Sequence, residues 1–260
     1  MKTLNRDELH EAEKVLRTHL PKSAKVYGFL FGITRNKPHT LEVIVDSWPN
    51  FKVIICRPDP KKVAFFCTDD HMLKTMLLDD AIDWSTYFLI GGADVRHDEI
   101  LRNVSSSKGV TPKYFSLVHL MTLTDPSHID IESRISCLDE SHIGLVNATW
   151  TFGGDEQGFR NIKNLIERFP TCCIVDEKGQ PASWVLVCNY CTMGMLYTVL
   201  EHRGEGLRQA PHQHHVQEAP QSGLVYCFIE EENQLFYRIF RNLGFTEDPA
   251  YRAAWFEFSC

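Results

Sequence analysis

The sequence predicts a mixed α/β chain with a mostly antiparallel central sheet flanked by helices, divided into two domains. Three observations carry this. Short runs rich in Val, Ile and Phe, bounded by turn residues, alternate with stretches of 3.6-residue apolar period. The pattern breaks at Thr124-Asp125-Pro126-Ser127, which reads as a linker between halves at 1–125 and 126–260. Finally, 260 residues, 43% of them apolar, can bury one large or two ordinary cores without a disulfide or metal staple.

In chain order, residues 7–20 place Leu9, Ala12, Val15, Leu16 and Leu20 on one helical face, and Pro21 stops the helix. Lys25–Thr34, Leu41–Asp46 and Phe51–Cys56, separated by Asn36-Lys37-Pro38 and Trp48-Pro49-Asn50, read as an antiparallel meander. Asp69–Ile90 and Gly91–Val104 read as helices joined at Gly91-Gly92, Ser105–Gly109 as an exposed loop and Ser116–Thr124 as a strand. In the second half, Glu132–Cys137 is a short strand and Asp139–Trp150 a helix; Phe159, Ile162, Leu165, Ile166 and Phe169 mark a second helix that ends at Pro170. Strands follow at Thr171–Asp176, Ala182–Tyr190 and Met193–Leu200, the first two joined by the hairpin turn Glu177-Lys178-Gly179-Gln180. Beyond a glycine-bearing loop and a His-rich polar stretch come a strand at Leu224–Ile229, a helix at Gln234–Leu243 closed by Gly244, and a terminal strand at Ala253–Phe258.

Charge and cysteine usage narrow the function classes. With 27 basic and 34 acidic residues the net charge is −7 and no Lys/Arg stripe is present, which argues against a nucleic-acid partner. The longest apolar runs fall far short of the roughly 20 residues of a membrane span. Nine cysteines, with Cys172 and Cys173 adjacent, read as reduced thiols, and the amino terminus lacks the apolar core of an export signal; an intracellular monomer is expected. Cys172 and Cys173 point to opposite faces of a strand, so one of them is expected in the core. Trp150, Trp184 and Trp255 are expected to pack rather than to stack on a ligand.

The loop Arg203-Gly204-Glu205-Gly206-Leu207-Arg208 joins a strand to a predicted helix. Its glycines let the backbone approach a ligand, and the amides at a helix amino terminus can receive phosphate without a lysine. With the element order and the segment E-N-Q-L-F-Y-R-I-F-R-N-L-G-F at 232–245, this loop resembles the GNAT superfamily of N-acetyltransferases. The chain is most similar to the glycine N-acyltransferase branch. The resemblance rests on K-V-Y-G at 25–28, V-D-S-W-P-N-F at 45–51, W-T-F-G-G-D-E-Q at 150–157, F-P-T-C-C at 169–173 and T-V-L-E-H-R-G-E-G at 198–206.

The resemblance implies two GNAT-like domains, the second carrying the acyl-CoA site, and transfer of an acyl group from a coenzyme A thioester to the amine of glycine or another small amino acid. Acyl-CoA is then a co-substrate, and no permanently bound cofactor or metal is implied. The strand Leu196, Tyr197, Thr198, Val199, Leu200 is implied to pair with the pantetheine arm. Arg203, Gly204, Glu205, Gly206, Leu207 and Arg208 are implied to take the diphosphate, with Asn233 also in the coenzyme site. Mitochondrial residence is implied by the resemblance alone, against an amino terminus too acidic for a transit peptide, so the cytoplasm is the alternative.

The chain departs from the family at its base. Aligning the family's G-E-x-x-x-x-x-T run on Thr198 puts Cys191 in the glycine's place and Thr192 in the glutamate's, and threonine cannot take an ammonium proton near neutral pH. Three readings stay open: slow turnover of an amine that arrives deprotonated, a substitute base such as Glu201 or His202, or a non-catalytic acyl-CoA-binding protein. A peptide or lysine acetyltransferase is a further class. Where relatives place a helical Tyr near the departing sulfur this chain has Phe240, leaving Tyr237 one turn earlier as substitute. Pro211 is expected to kink the helix after the loop. Cys188 and Cys191 with His212, His214 and His215 offer zinc ligands, but the spacing does not match a finger and no metal is expected there.

Overall fold

A computed structural model describes residues 1–37, 39–59, 61–123, 135–203 and 225–259. The chain forms two compact units. The first takes Met1–Leu120 with Ile229–Asn233 and Glu247–Cys260, the second Met121–Phe228 with Gln234–Thr246.

The first unit begins with β1 (Lys2–Thr3) and helix α1 (Arg6–Arg17). Asn5 starts α1 by accepting from the N–H groups of Asp7 and Glu8 at 3.0 and 3.1 Å, while the Glu8 carboxylate accepts from the Asn5 N–H at 2.9 Å. Next comes α2 (Ala24–Thr34), where the sequence pattern predicted a strand. Every residue of α2 except Lys25 and Thr34 is buried, and a helix that is apolar all round has no polar face for a 3.6-residue period to reveal. Strands β2 (Glu42–Val45), β3 (Val53–Asp59) and β4 (Lys62–Cys67) form the antiparallel meander.

Helix α3 (Asp70–Leu78) leads to β5 (Phe88–Asp94), which runs parallel to β4 with Lys62 opposite Leu89 and Val63 opposite Ile90. The predicted helix joint at Gly91-Gly92 is therefore strand interior. A Cβ on Gly91 would lie 2.3 Å from the Lys25 Nζ and 2.9 Å from the Trp255 indole nitrogen, so the glycine marks a close approach. Helix α4 (Asp98–Ser107) absorbs most of the expected Ser105–Gly109 loop, burying Ser105, and β6 (Thr111–Leu123) follows.

In the second unit β7 (Ile135–Ser136), helices α5 (Ile143–Thr149) and α6 (Glu156–Arg168), and strands β8 (Thr171–Val175), β9 (Pro181–Val187), β10 (Met193–Thr198) and β11 (Val225–Glu230) stand close to their predicted places. Helix α7 (Gln234–Asn242), β12 (Thr246–Glu247) and β13 (Ala253–Ser259) complete the chain. The sheet order within this unit is β11-β10-β9-β8-β7. Its core gathers Ile143, Val146, Ile162, Leu165, Trp184 and Leu186. Cys172 and Cys173 are both buried, so both faces of β8 are covered where the alternation predicted one.

Strand β13 does not stay with the half that precedes it. In the first unit's sheet, of order β1-β2-β3-β4-β5-β13-β6, it lies antiparallel to both neighbours. The compact units therefore do not follow a single cut at 125/126: the carboxy-terminal segment closes the first core. There the Phe88 and Phe258 rings stack at 4.9 Å, with Trp84 edge-on to both at 5.2 and 5.4 Å. Phe258 is fully buried, so Phe258→Ala is expected to cost about 3–5 kcal/mol of unfolding free energy in denaturant titration. A loss near zero would show that β13 contributes ladder bonds without core packing.

Candidate active site

Two features of β10 shape the site. Among the described residues the parallel pair β10–β11 is in register at Met193 opposite Cys227, and the two strands leave register beyond that point. On its other side β10 pairs antiparallel with β9, with Gly194 opposite Leu186 and Tyr197 opposite Trp184. Met195 and Leu196 thus face the single residue Val185. This is a β-bulge, with Met195 at φ 54° in the left-handed region. A bulge takes backbone amides out of the ladder, here beside a strand whose other edge is opening. A strand whose ladder is interrupted on one side and leaves register on the other suits a ligand that itself carries amides and a carbonyl.

Nothing in the sequence reading anticipated the bulge, although a signal was present: an isolated glycine, Gly194, inside a strand pattern. The turn before β10 is tight. Cys191 N–H donates to the Cys188 carbonyl and Cys188 N–H to the Thr192 carbonyl, both at 2.9 Å, with Cys191 at φ 57°. The residue aligned with the family's glycine therefore keeps a backbone conformation that favours glycine.

Thr192 is 2% exposed, and its hydroxyl donates to the Tyr226 carbonyl at 2.9 Å, while the Tyr226 hydroxyl donates to the Tyr190 carbonyl. Thr192 is thus a tie between the start of β10 and β11, with its only proton engaged. Thr192→Val would leave a buried carbonyl without this donor and is expected to destabilise the protein by about 1–3 kcal/mol in denaturant unfolding, with Thr192→Ser close to wild type.

The other predicted residues fall into three groups. Leu196 and Tyr197 are partly buried on β10, Tyr197 stacked on the Trp184 ring at 5.2 Å, which confirms Trp184 as packing. Thr198 is buried, its hydroxyl 2.7 Å from that of Ser183. Val199 is partly buried, and Leu200 is 65% exposed. Glu201 and His202 lie in a 3-10 turn (Leu200–His202) past the end of β10, Glu201 exposed and His202 partly buried. Asp176, in the β8–β9 turn, has its carboxyl held below the usual range first by the Gln180 N–H, with the charge of His202 among the lesser causes. Arg203 is anchored, its Nε donating to the Thr198 carbonyl at 3.2 Å and its guanidinium 5.6 Å from the Tyr197 ring centre.

Asn233 precedes α7, its N–H donating to the Glu230 carbonyl at 2.9 Å, and Tyr237 is partly buried on that helix. Phe240 is a core residue, edge-on to Phe245 at 4.9 Å. Gly204, Glu205, Gly206, Leu207 and Arg208 lie outside the described residues, as do Pro211, His212, His214 and His215.

Comparison with known proteins decides the family. Models for aralkyl acyl-CoA:amino acid N-acyltransferases match residues 1–170, and 172–260 for the carboxy-terminal region. The chain belongs to this family. The N-acyltransferase is 28% identical to the glycine N-phenylacetyltransferase of Bos taurus, over 97% of this chain and 96% of that one. Its fold matches the X-ray structure of a Drosophila protein with TM-score 0.80 at 15% identity, covering 98% and 97% of the two chains. A tandem GNAT protein from the clavulanic acid biosynthesis pathway matches at TM-score 0.53 and 14% identity, covering 98% and 96%. The N-acyltransferase is an amide-forming enzyme with a mixed α/β GNAT-type fold. Among its described residues no helix is long and apolar enough to cross a membrane.

Proposed function

We propose that the N-acyltransferase moves an acyl group from a coenzyme A thioester to the amine of glycine or another small amino acid. The observation that carries this is the parting of β10 from β11 beyond Met193 and Cys227, next to the bulge at Met195. The pantetheine amides would pair with the free edge of β10, and an amide freed by the bulge would donate to the oxyanion as the amine attacks the thioester carbonyl. The C–S bond then breaks, the thiolate leaves and takes a proton, and the ammonium of the intermediate gives one up. Diphosphate binding at 203–208 belongs to the same proposal. Arg203, tied to Thr198, would hold the entry to that loop rather than reach out as a free charge.

The proton is the step this chain handles differently. Thr192 is committed to Tyr226. At ~3.3 Å per extended residue and ~2 Å per residue of the 3-10 turn, Glu201 and His202 lie roughly 17–19 Å along the chain from Met195. A substitute base at either is therefore disfavoured for a carbonyl held at Met195, and we propose that the acceptor enters as the free amine. The rate with glycine should then rise close to tenfold per pH unit from pH 7 to 9, followed by thiol release from a panel of acyl-CoAs. A plateau beginning near pH 7 would reveal a side-chain base. Thr192→Glu should raise kcat at pH 7 by roughly tenfold or more and change it little at pH 9.5.

The alternative of an acyl-CoA-binding protein without turnover gains nothing from the relatives, whose names are those of transferases. Residence in mitochondria is carried with the proposal from the family resemblance, and imaging of the tagged chain in cells tests it.

A further inference from the structure

The first unit contains its own parting parallel pair. Beyond Val63 and Ile90, β4 and β5 are no longer in register, and the end of such a pair is where open α/β sheets receive ligands. Three metal-ligating side chains meet there. Cys67 is the last residue of β4, Asp70 the first of α3, and His97 ends the 3-10 turn (Val95–His97) that follows β5. The Cys67 Sγ is 3.1 Å from His97 Nε2 and 3.8 Å from Asp70 Oδ1, and His97 Nε2 is 3.3 Å from Asp70 Oδ1.

These separations match one face of a coordination tetrahedron. With zinc about 2.3 Å from sulfur and about 2.0–2.2 Å from nitrogen and oxygen, the edges should be roughly 3.3–3.6 Å, so shifts of a few tenths of an ångström bring all three atoms onto one ion. Among the described residues this is the one group of Cys, His, Asp or Glu side chains that converges in this way.

His97 offers the site a single nitrogen. His97 is 2% exposed, and its Nδ1 has no hydrogen-bond partner. A buried imidazole with one idle nitrogen has only its Nε2 contacts to offset the cost of burial, and that is the atom facing Cys67 and Asp70. Arg96 is the competitor, its Nε lying 3.1 Å from His97 Nε2. It has other partners to keep, the Asp94 carboxylate at 3.3 Å and the Cys67 carbonyl at 3.0 Å.

We propose that Cys67, Asp70 and His97 form a binding site for a borderline-soft divalent cation, zinc above all, with a fourth position open on the Asp70 side. Cys67 and His97 are buried, whereas the Asp70 side chain is 59% exposed and marks the entry. The ion would displace the Arg96–His97 contact and staple the end of β4 to the turn after β5. The site lies within the first unit and does not rest on the proposed reaction.

The test is titration of the reduced, chelator-treated full-length protein with Co²⁺ and then Zn²⁺. The expected result is one ion per chain and a near-ultraviolet thiolate-to-cobalt band that is lost in Cys67→Ser and kept in Cys188→Ser/Cys191→Ser. Asp70→Asn changes an exposed side chain and keeps the fold testable should Cys67→Ser not fold; it should weaken zinc binding by about tenfold or more in competition with a chromophoric chelator. Absence of the band in the wild-type protein, a band that follows Cys188 and Cys191, or unchanged affinity in Asp70→Asn overturns the proposal.

Discussion

Strand β13 lies between β5 and β6, pairing Ala253 with Asp94 on one side and with Val118 on the other. The first unit depends on this insertion. Without it β5 and β6 would each present an open edge, and Phe88 and Trp84 would lose the Phe258 ring. Strand β13 thus belongs to a core that begins at Ile44 in β2, and that core cannot close until the intervening second unit has been traversed. Contacts of such sequence separation slow folding, because the entropy of loop closure is lost before the contact rewards it.

Each unit carries a parallel pair inside an otherwise mainly antiparallel sheet, and the two pairs are surrounded by different chemistry. In the first, β4 leads straight into Asp69 and Asp70 at the start of α3, where acidic side chains are favourable for the helix dipole and unfavourable for an anionic ligand. Cys67 and His97 fill the space where the strands part. In the second, β10 keeps a bulge beside β11, and the buried side chain at its start, Thr192, ties the strands together instead of titrating. One arrangement suits cation chemistry, the other an amide-bearing thioester.

Much of the second unit was legible because its elements are short and bounded by turn residues, and its longest helix is amphipathic. Helix α6 shows one apolar stripe, and β8, β9 and β10 are separated by turn residues such as Gly179, at φ 76°. The first unit was less legible for the opposite reason. Helix α2 is buried on every side and carries the β-branched and aromatic residues of a strand, and β5 hides two glycines that exist because Lys25 and Trp255 crowd against one of them. In the site, Thr192 was located from the spacing to Thr198, and the left-handed Cys191 agrees with that alignment. The bulge was not located, because register is a property of two strands and only its glycine is written in one of them.

The sequence by itself determined the helices and strands of the second half, the family, the threonine at residue 192 and the acidic balance of the chain. All of these are carried by residue identity and short-range spacing. The tertiary structure decided that β13 closes the first unit, that Thr192 is held by Tyr226, that β10 bulges at Met195, and that Cys67, Asp70 and His97 meet. These depend on which strands pair and where they part, and the pairing energy comes from burial against residues far away in the chain.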